Sequence, residues 1–520
     1  MKREAFVKQL EEPMFWDVIV IGGGATGLGC AVDAASRGYA TLLLEQHDFA
    51  KGTSSRSTKL IHGGVRYLQQ GNISLVIEAL HERGLLVKNA PHLVHNLSFI
   101  VPSYEWWNGP FYGVGLKVYD LLAGKLGFGP SRLLSREETL KQIPTLEPGG
   151  LRGGVIYYDG QFDDARLAIN LAQTAVEQGA TVINYMKVTG FLKSGGMLTG
   201  VTATDMESGA SYQLNGRVVV NATGVFSDLI CKLDDPAAPG IITPSQGVHI
   251  ILDQKFLGGD SAIMVPHTSD GRVLFAVPWH NRVVVGTTDT PVNDVTLEPQ
   301  PLPEEIEFIL NHAAKYLTKD PTTEDILSVF AGLRPLVNLQ GSNTTAEISR
   351  DHHVLVSSSG LVTIAGGKWT TYRRMAEDTI DQAALIAGLV EKPCVSKELR
   401  IHGWLKQVDR NDPLHIYGSD AIFIRELIKD KPKLGEKLHP RLPYLKAEVV
   451  WAVRREMART VEDVLARRTR ALLLDTRASM EIAPIVAKLM AKELKQSRRW
   501  QKEQIAAYQA LARQYLPGEN

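Results

Sequence analysis

The N-terminal part of the chain has its most regular pattern of apolar positions. A β-branched apolar run ends at Ile21, the residues Gly22, Gly24 and Gly27 follow at the spacing GxGxxG, and a second apolar run ends at Glu45. This order predicts a strand, a glycine turn, a helix and a second strand. In such a unit the glycines permit a tight turn, let the backbone approach a pyrophosphate and let the helix pack closely on the strand. The segment therefore predicts a dinucleotide-binding unit.

Later patterns predict two further parts. Alternating apolar and polar positions around residues 247–290, in GVHIILD, RVLFAVPW and RVVVGTTD, predict strands of a separate antiparallel sheet. From about Lys392 the chain is rich in Ala, Leu, Arg and Glu, which predicts a helical C-terminal domain. The proline-rich stretch 297–304 predicts a surface connector.

Together these patterns predict an α/β protein with a discontinuous Rossmann-like cofactor-binding domain, an antiparallel-sheet substrate domain and an all-helical C-terminal domain. We place the core at residues 1–390 and the C-terminal domain at 391–520. Within the core we expect cofactor-binding parts at about 14–80, 151–245 and 345–390, and substrate-binding parts at about 81–150 and 246–344.

The loop after Glu45 favours a flavin dinucleotide over a nicotinamide dinucleotide. The sequence KGTSSRSTKLIHGGVRYL is rich in hydroxyls, glycine and basic residues, where a nicotinamide domain would continue with alternating helices and strands. Two later strand ends, at 221–224 and 364–372, consist of small residues that let a ligand approach the backbone. The expected cofactor-binding residues are Gly22, Gly24, Gly27, Glu45, Ser54, Ser55, Ser57, Lys59, Gly63, Gly64, Gly224, Gly367, Lys368 and Thr370.

Composition excludes other functional classes. The chain has 520 residues, 44% of them apolar, and equal counts of Lys+Arg and Asp+Glu, 57 each, which argues against a nucleic-acid-binding protein. Cys30, Cys231 and Cys394 lack CxxC spacing and clustered histidines, so we expect no metal site and no disulfide framework. Residues 1–13 are charged and no apolar run reaches the length of a spanning helix, so we expect neither a signal peptide nor a transmembrane segment.

Nine motifs that span nearly the whole chain resemble one enzyme family. They are IGGGATGLGCAVDAASRG, TSSRSTKLIHGGVRYL, DDARL, NATG, VGTTDT, GLRPL, SRDH, GGKWTTYR and VRREMARTVEDVLARRTRALLLD. The chain resembles the FAD-dependent glycerol-3-phosphate dehydrogenases, within the wider family of flavin amine and hydroxy-acid oxidoreductases. HGGVRYL and TVEDVLARRTR are the narrower of these motifs.

The resemblance implies non-covalent FAD and oxidation of sn-glycerol 3-phosphate to dihydroxyacetone phosphate by hydride transfer from C2. It also implies that electrons pass to a membrane quinone, and that the protein is a cytoplasmic homodimer attached to the inner face of the cell membrane. The alternative is a glycerol-3-phosphate oxidase that reduces oxygen to hydrogen peroxide. Two more distant alternatives are an amino-acid oxidoreductase and a flavin-binding protein without turnover.

Such a reaction needs a base for the hydroxyl proton and several cations for the phosphate dianion. The catalytic residues that we expect are His249, Lys368 and Arg334. The resemblance supplies Lys368 and Arg334, and His249 is our choice for the general base because an imidazole titrates near neutrality. By resemblance the substrate-binding residues are Arg66, Tyr67, Arg334 and Arg350. We add Thr288 of GTTDT as a hydroxyl donor beside His249.

Each of these residue types also has a structural explanation. Arg334 can belong to a structural ion pair, His249 can be a satisfied core histidine, and Lys368 can be an exposed lysine. His62 can be a covalent flavin anchor, but a hydrogen-bonded loop residue is the simpler interpretation. Asp163 and Asp164 resemble a catalytic carboxylate pair, although their place before an amphipathic helix favours N-capping. Cys30, in the first predicted helix, indicates core packing.

Two segments combine aromatic and basic residues, a combination typical of a surface at a bilayer interface. The first is 106–134, which a packed amphipathic helix explains equally well. The second is 488–515, for which a solvated terminal helix is the preferred interpretation.

Overall fold

The computed structural model describes residues 1–64, 68, 72–105, 108–265, 268, 273–338 and 351–518; at 108–111 and 125 it describes the backbone only. The strands in these ranges are β1 (Phe15–Ile21), β2 (Thr41–Leu44), β3 (Leu60–Ile61), β4 (Val94–Ser103), β5 (Arg132–Ser135), β6 (Gly153–Phe162), β7 (Thr181–Ile183), β8 (Met186–Ser194), β9 (Met197–Asp205), β10 (Ser211–Asn221), β11 (Ile242–Asp253), β12 (Ala262–Val265), β13 (Leu274–Trp279), β14 (Arg282–Gly286), β15 (Thr290–Pro291), β16 (Ser328–Val337), β17 (His352–Val356) and β18 (Val362–Gly366).

The α-helices in the same ranges are α1 (Arg3–Gln9), α2 (Ala25–Ser36), α3 (Ile73–Asn89), α4 (Asn108–Ala123), α5 (Arg136–Gln142), α6 (Asp164–Glu177), α7 (Ser227–Asp234), α8 (Pro303–Ala314), α9 (Tyr372–Ile386), α10 (Ala421–Asp430), α11 (Lys446–Arg455), α12 (Ala471–Leu474), α13 (Thr476–Leu494) and α14 (Arg498–Arg513). No helix among the described residues combines the length and the apolarity that crossing a bilayer requires.

The first sheet has the strand order β17-β18-β10-β1-β2-β7, with the β8-β9 hairpin joined to β10. Its central strands β18, β10, β1, β2 and β7 run parallel. Their apolar side chains are buried on both faces, as expected for a parallel sheet covered by helices. Because the strands are parallel, Ile21, Asn221 and Gly366 end at the same edge of the sheet, where open α/β sheets bind ligands.

The second sheet is mostly antiparallel and is built around β11, which pairs with β14 on one side and with β16 on the other. This register places His249 opposite Gly286 of β14 and opposite Phe330 of β16. The predicted strands around 247–290 are therefore present as β11, β13 and β14.

Two expectations about the core are corrected by contacts between distant segments. β6 was expected in the cofactor-binding part, but it pairs with β4, β5 and β3 in the second sheet. The stretch 297–304 is not simply a surface connector, since Pro299 and Pro301 are buried and Glu298 lies 2.6 Å from Arg56. Strand pairing decides the first feature, and burial with an ion pair to a distant loop decides the second. The local sequence encodes neither of these long-range contacts.

Beyond residue 390 the regular structure is helical, apart from an isolated bridge between Lys437 and Leu445. It includes a six-residue π-helix, Asp463–Arg468. Buried ion pairs join these helices to the core, because Arg468 binds Asp48, and Arg166 of α6 binds Glu456 through two N–H donors. The C-terminal domain is therefore bonded to the core through groups that are inaccessible to water.

Candidate active site

A cavity of about 680 Å³ lies where the carboxyl edge of the first sheet meets the second sheet, a volume usual for cofactor and ligand pockets. The first sheet contributes mainly backbone from the ends of β1, β10 and β18. The second sheet contributes β11 and β16. The predicted site residues that line the cavity are Gly22, Gly24, Glu45, Ser54, Ser57, Gly224, His249, Arg334, Gly367, Lys368 and Thr370.

The glycine turn has the geometry that its spacing predicts. Gly22 adopts a φ of 109°, and a Cβ there would lie 2.6 Å from the carbonyl oxygen of Ala222. Gly27 does not line the cavity; a Cβ on it would overlap the carbonyl oxygen of Gly22, so Gly27 lets α2 pack against the turn. The N-terminus of α2 consequently faces the cavity with open backbone, the arrangement that suits a pyrophosphate.

Glu45 ends β2 at the opposite side of the turn. Its carboxylate accepts hydrogen bonds from the backbone N–H of Gly23 at 2.6 Å and of His47 at 2.8 Å. Burial raises the pKa of Glu45, and these two donors oppose the rise. A carboxylate held in this way at the cavity wall suits a ribose diol. The described residues therefore fit the adenosine and phosphate parts of a dinucleotide.

The hydroxyl-rich loop after β2 reaches the cavity with only some of its side chains. Ser54 accepts a hydrogen bond from the backbone N–H of Ala25 at 2.9 Å, which joins the loop to the start of α2. Ser57 donates to Asp164 at 2.7 Å. Ser55 is not among the lining residues, and its carbonyl oxygen accepts a hydrogen bond from Lys59 at 2.8 Å.

Lys59 does not reach the cavity, contrary to expectation. Its side chain is fully buried, and its ammonium group lies 2.6 Å from Asp164. The same group lies 5.1 Å from the ring centroid of Phe330. Burial lowers the pKa of Lys59 to about 8, against the opposing effect of Asp164. Lys59 is thus an internal cation behind the cavity wall.

Three more expected residues lie outside the cavity lining. Gly63 and Gly64 follow β3, and the backbone N–H of Gly63 donates to the hydroxyl of Tyr119 at 2.8 Å. Thr288 is buried; it accepts from the backbone N–H of Val248 at 3.0 Å and donates to Glu305 at 2.8 Å. These bonds occupy the Thr288 hydroxyl with structural partners.

His249 combines burial with a position on the cavity wall. Its Nε2 lies 2.9 Å from Oγ1 of Thr58, and its ring stacks on Phe330 with centroids 4.9 Å apart. Its Nδ1 has no hydrogen-bond partner among the described residues. Burial, followed by the charges of Lys59 and Arg334, holds the pKa of His249 well below its usual value. The imidazole is therefore neutral near pH 7 and able to accept a proton.

Arg334 lies at the cavity wall. It also forms an ion pair, which is the structural role expected as the alternative to substrate binding. Its guanidinium lies 3.2 Å from Asp289 and donates to the carbonyl oxygens of Gln246 and Thr288. Because β16 pairs with β11, Arg334 enters the cavity from the same sheet as His249. The structure thus shows a cation that is fixed in place at the site.

The end of β18 brings Lys368 to the cavity, so this lysine is a partly buried wall residue and not a solvated one. Gly366 and Gly367 before it adopt φ values of 80° and 75°. The backbone N–H of Gly367 donates to the carbonyl oxygen of Asp351 at 3.3 Å. Thr370 donates to the carbonyl oxygen of His62 at 3.3 Å.

Arg66, Tyr67 and Arg350 lie outside the described residues. Their roles in binding substrate therefore remain predictions. Asp351, which follows Arg350 in the chain, does lie next to Gly367 at the cavity.

Several lining residues were missed from the sequence. Arg56 lines the cavity while bonded to Glu298, and Thr58 contacts His249; both lie in the loop already noted for its hydroxyls and basic residues. Leu229 and Leu233 of α7 also line the cavity, although 62% and 41% of their surfaces are exposed. The sequence could have indicated these leucines, because the segment directly after NATG has the amphipathic pattern of a helix that begins at the cofactor-binding end of a strand.

The described contacts resolve the alternatives for Asp163, Asp164 and Cys30. Asp163 is the N-cap of α6 and accepts from the backbone N–H of Arg166 at 3.0 Å, as predicted. Asp164 binds Ser57, Lys59 and Arg470 instead of acting as a simple cap. Cys30 is fully buried in the core.

Two family models match the chain. The model described as FAD dependent oxidoreductase matches residues 17–373. The model described as C-terminal domain of alpha-glycerophosphate oxidase matches residues 361–504. Together they cover the two-sheet core and most of the helical C-terminal region.

Curated relatives match over nearly the full length. The mitochondrial glycerol-3-phosphate dehydrogenase of Homo sapiens is 42% identical, with 95% of this chain and 72% of the relative covered. The protein of the same name from Schizosaccharomyces pombe is 39% identical, with 94% and 86% covered. The match therefore includes the C-terminal domain.

Solved structures agree with these matches. Glycerol-3-phosphate dehydrogenase from Bacillus halodurans complexed with FAD superposes with a TM-score of 0.81 at 29% identity, covering 99% of this chain and 97% of that chain. L-alpha-glycerophosphate oxidase from Mycoplasma pneumoniae with FAD bound has a TM-score of 0.57 at 17% identity, covering 76% of this chain and 100% of that chain. The second match supports the fold alone. FAD is the cofactor of this fold, and the cavity described above fits it.

Glu45→Gln is predicted to weaken FAD binding by about tenfold or more, because it removes the charge from a buried hydrogen-bond acceptor. The measurement is equilibrium dialysis of the apoprotein against FAD. Glu304→Gln, at an exposed position in the first turn of α8, is the matched control and is expected to bind FAD like the unchanged protein. Equal dissociation constants for the two variants would exclude Glu45 from the FAD site.

Proposed function

The chain belongs to the FAD-dependent glycerol-3-phosphate dehydrogenase family, and on that basis we propose that it oxidises sn-glycerol 3-phosphate to dihydroxyacetone phosphate and delivers the electrons to a membrane quinone. FAD, when bound, supplies the hydride acceptor. The protein must then bind a phosphate dianion, orient the C2 hydroxyl and accept its proton.

The observation that supports this proposal best is a neutral, buried His249 at the wall of a cavity that also contains Arg334 and Lys368. A base that removes a hydroxyl proton must be unprotonated at working pH. Burial and the nearby charges of Lys59 and Arg334 hold the pKa of His249 well below its usual value, which meets this condition near neutral pH. The cations Arg334 and Lys368 suit the phosphate and the charge that develops on the substrate oxygen.

Thr58 is a further part of the proposed acid–base group. Its hydroxyl lies 2.9 Å from Nε2 of His249, which leaves Nδ1 as the ring nitrogen without a partner among the described residues. If Thr58 accepts from Nε2–H, the imidazole is the tautomer with its lone pair on Nδ1. We assign Thr58 to holding that tautomer.

The direct test is an anaerobic titration of purified protein with glycerol 3-phosphate and, separately, with glycerol, following the flavin absorbance. We expect the phosphorylated alcohol to bleach the flavin at far lower concentration, because only it has a dianion for the cations. Bleaching by a D-amino acid but not by glycerol 3-phosphate would instead establish an amino-acid oxidoreductase. Failure of every alcohol and amine would favour a protein without turnover.

Arg334→Ala is predicted to raise the half-saturating concentration of glycerol 3-phosphate about tenfold or more, because a fixed cation is lost from the phosphate site. The flavin spectrum should change little. Arg282→Ala is the matched control: Arg282 donates to the carbonyl oxygens of Leu474 and Arg441, and it does not line the cavity. If Arg334→Ala leaves the half-saturating concentration of glycerol 3-phosphate unchanged but lowers the unfolding temperature, then Arg334 has only a structural role, through its ion pair with Asp289.

The second candidate function is a glycerol-3-phosphate oxidase, because the C-terminal family model is described by that activity. We predict that turnover in air with a soluble quinone yields much less than one peroxide per substrate, because the quinone is the preferred acceptor. The measurement is peroxide formation against quinone reduction in the same reaction. Formation of about one molecule of hydrogen peroxide per substrate oxidised, while the quinone stays oxidised, would establish the oxidase.

A quinone acceptor requires contact with the membrane, and α4 offers an exposed apolar surface for it. Val114, Val118 and Leu121 are spaced four and three residues apart on one face, and 69% and 80% of the first and last are exposed. Tyr112 and Tyr119 of the same helix are buried, so the exposed apolar side chains that the structure describes in this helix are aliphatic. Trp106, Trp107 and the side chain of Phe111 lie outside the described part of the chain. We propose that this face lies on the inner leaflet, peripherally attached.

Val118→Glu with Leu121→Glu is predicted to reduce sedimentation with phospholipid vesicles several-fold, because two charges enter the buried face of the contact. The matched control is Met197→Glu with Met206→Glu, which charges two other exposed apolar positions, 49% and 52% exposed. Equal binding by both double variants would place the membrane contact elsewhere.

The cytoplasmic location and the homodimer stay predictions, and light scattering of the same samples tests the dimer.

A further inference from the structure

Asp164 is the centre of a buried ion cluster behind the cavity wall. Its Oδ2 lies 2.6 Å from the ammonium of Lys59 and accepts from the Ser57 hydroxyl at 2.7 Å. Its Oδ1 accepts from the guanidinium of Arg470 at 3.0 Å. Asp164, Lys59 and Arg470 are each almost completely inaccessible to solvent. A buried carboxylate of this kind is stable only with such compensation.

The two cations come from distant parts of the chain and bind the same two acceptors. Besides Asp164, both Lys59 and Arg470 donate to the carbonyl oxygen of Ser55 at 2.8 Å. Both residues adopt left-handed backbone, with φ values of 66° and 63°. Such values are uncommon for long side chains and persist where surrounding bonds enforce them. Arg470 of the C-terminal domain therefore holds the loop from Ser55 to Lys59 in place through its hydrogen bonds to Ser55 and Asp164.

This loop is the one that contacts His249. Thr58 lies between Ser57 and Lys59, both bonded to Asp164, and its hydroxyl lies 2.9 Å from Nε2 of His249. Phe330 stacks on His249, and its ring centroid is 5.1 Å from the ammonium of Lys59. The cluster thus acts on two neighbours of the imidazole. Ser57 and Lys59, which bind Asp164, fix the backbone on either side of Thr58, and the Lys59 ammonium lies over the ring of Phe330.

We propose that Lys59, Asp164 and Arg470 are positioning residues that set the orientation of His249 and the charge placed next to it, so that the C-terminal domain contributes to the reaction through Arg470. This inference rests on the proposed function, in which His249 is the base. Lys59 acts by its charge, and Asp164 and Arg470 act by fixing where that charge and Thr58 lie.

The charges around His249 give the direction of the effect. Burial is the largest cause that lowers the pKa of His249. Lys59, from the loop, and Arg334, from β16, lower it further, while β14 contributes the uncharged Gly286 opposite it. Removal of Lys59 should raise the pKa of His249, so the imidazole becomes protonated at higher pH. The acidic limb of the rate profile should then move toward neutral pH, because the base must be unprotonated.

The first experiment compares the pH dependence of flavin reduction by glycerol 3-phosphate in the holoenzyme and in Lys59→Met. We expect the acidic limb to move up by about one pH unit, the effect of removing one nearby internal charge. Lys59→Arg keeps the positive charge, so the acidic limb of its pH profile should stay at the pH of the unchanged protein. If Lys59→Met does not fold, Lys59→Gln, which retains an N–H donor for Asp164, takes its place.

The second measurement does not depend on turnover. Histidine in the holoenzyme is labelled with ¹⁵N, the His249 signal is assigned with His249→Gln, and its titration is followed without substrate. This removes the substrate phosphate, which itself titrates near pH 6. We expect His249 to titrate at higher pH in Lys59→Met than in the unchanged protein.

Arg470→Gln tests the contribution of the C-terminal domain. It should lower the rate of flavin reduction several-fold at saturating substrate, with little change in half-saturation, because the base is displaced and not the phosphate site. Arg37→Gln is the matched control, since Arg37 is also buried in an ion pair, with Asp33, but its other described hydrogen bonds go to Asp381 and to the carbonyl oxygens of Lys392 and Glu377 and not to the Asp164 cluster. Equal losses in both variants would show general destabilisation only.

An unchanged titration and an unchanged acidic limb in Lys59→Met, with normal flavin reduction by the unchanged protein, would overturn this inference and leave the proposed function intact. Absence of flavin reduction by the unchanged protein would overturn the proposed function, and the ¹⁵N titration would still decide the effect of Lys59 on His249.

Discussion

The buried carboxylate of Asp164 is the constraint on which the site depends. A desolvated charge must be compensated by fixed partners, and removal of one partner from such a pair costs about 3–5 kcal/mol. Asp164 begins α6 in the core, Lys59 ends the hydroxyl-rich loop, and Arg470 belongs to the C-terminal domain. These three parts must therefore assemble together. Arg468 and Asp48 repeat the arrangement at the other end of the same loop region.

The two sheets contribute different chemistry to one cavity. The parallel sheet ends in glycine and small residues, so it presents open backbone and the start of α2. Such an edge suits a long cofactor with phosphates. The antiparallel sheet presents side chains, because alternate residues of β11 and β16 point to one face. His249 and Arg334 consequently meet the cofactor-binding edge from the opposite side.

Sequence reasoning was accurate where a residue's role follows from local geometry. The turn at Gly22 and the cap at Asp163 depend on neighbours in the chain, and both are present as predicted. It was inaccurate for side chains whose direction depends on distant partners. Lys59 lies in the predicted loop, but its ammonium binds Asp164, and Thr288 binds Glu305 instead of facing the cavity. β6 was misplaced for the same reason, because its pairing with β4 is a long-range contact.

By itself the sequence determined the dinucleotide-binding unit, the two kinds of sheet and the helical C-terminal domain, since spacing and periodicity encode these directly. Its motifs, through their resemblance to those of known flavoenzymes, indicated the family. Only the tertiary structure decided which charged groups face the cavity and which compensate one another inside the protein. The reason is physical: a pattern specifies whether a residue is buried, but the partner that makes a buried charge tolerable is chosen by the packing of distant segments. Arg470 and Lys59, which bind one carboxylate from positions far apart in the chain, are the clearest case.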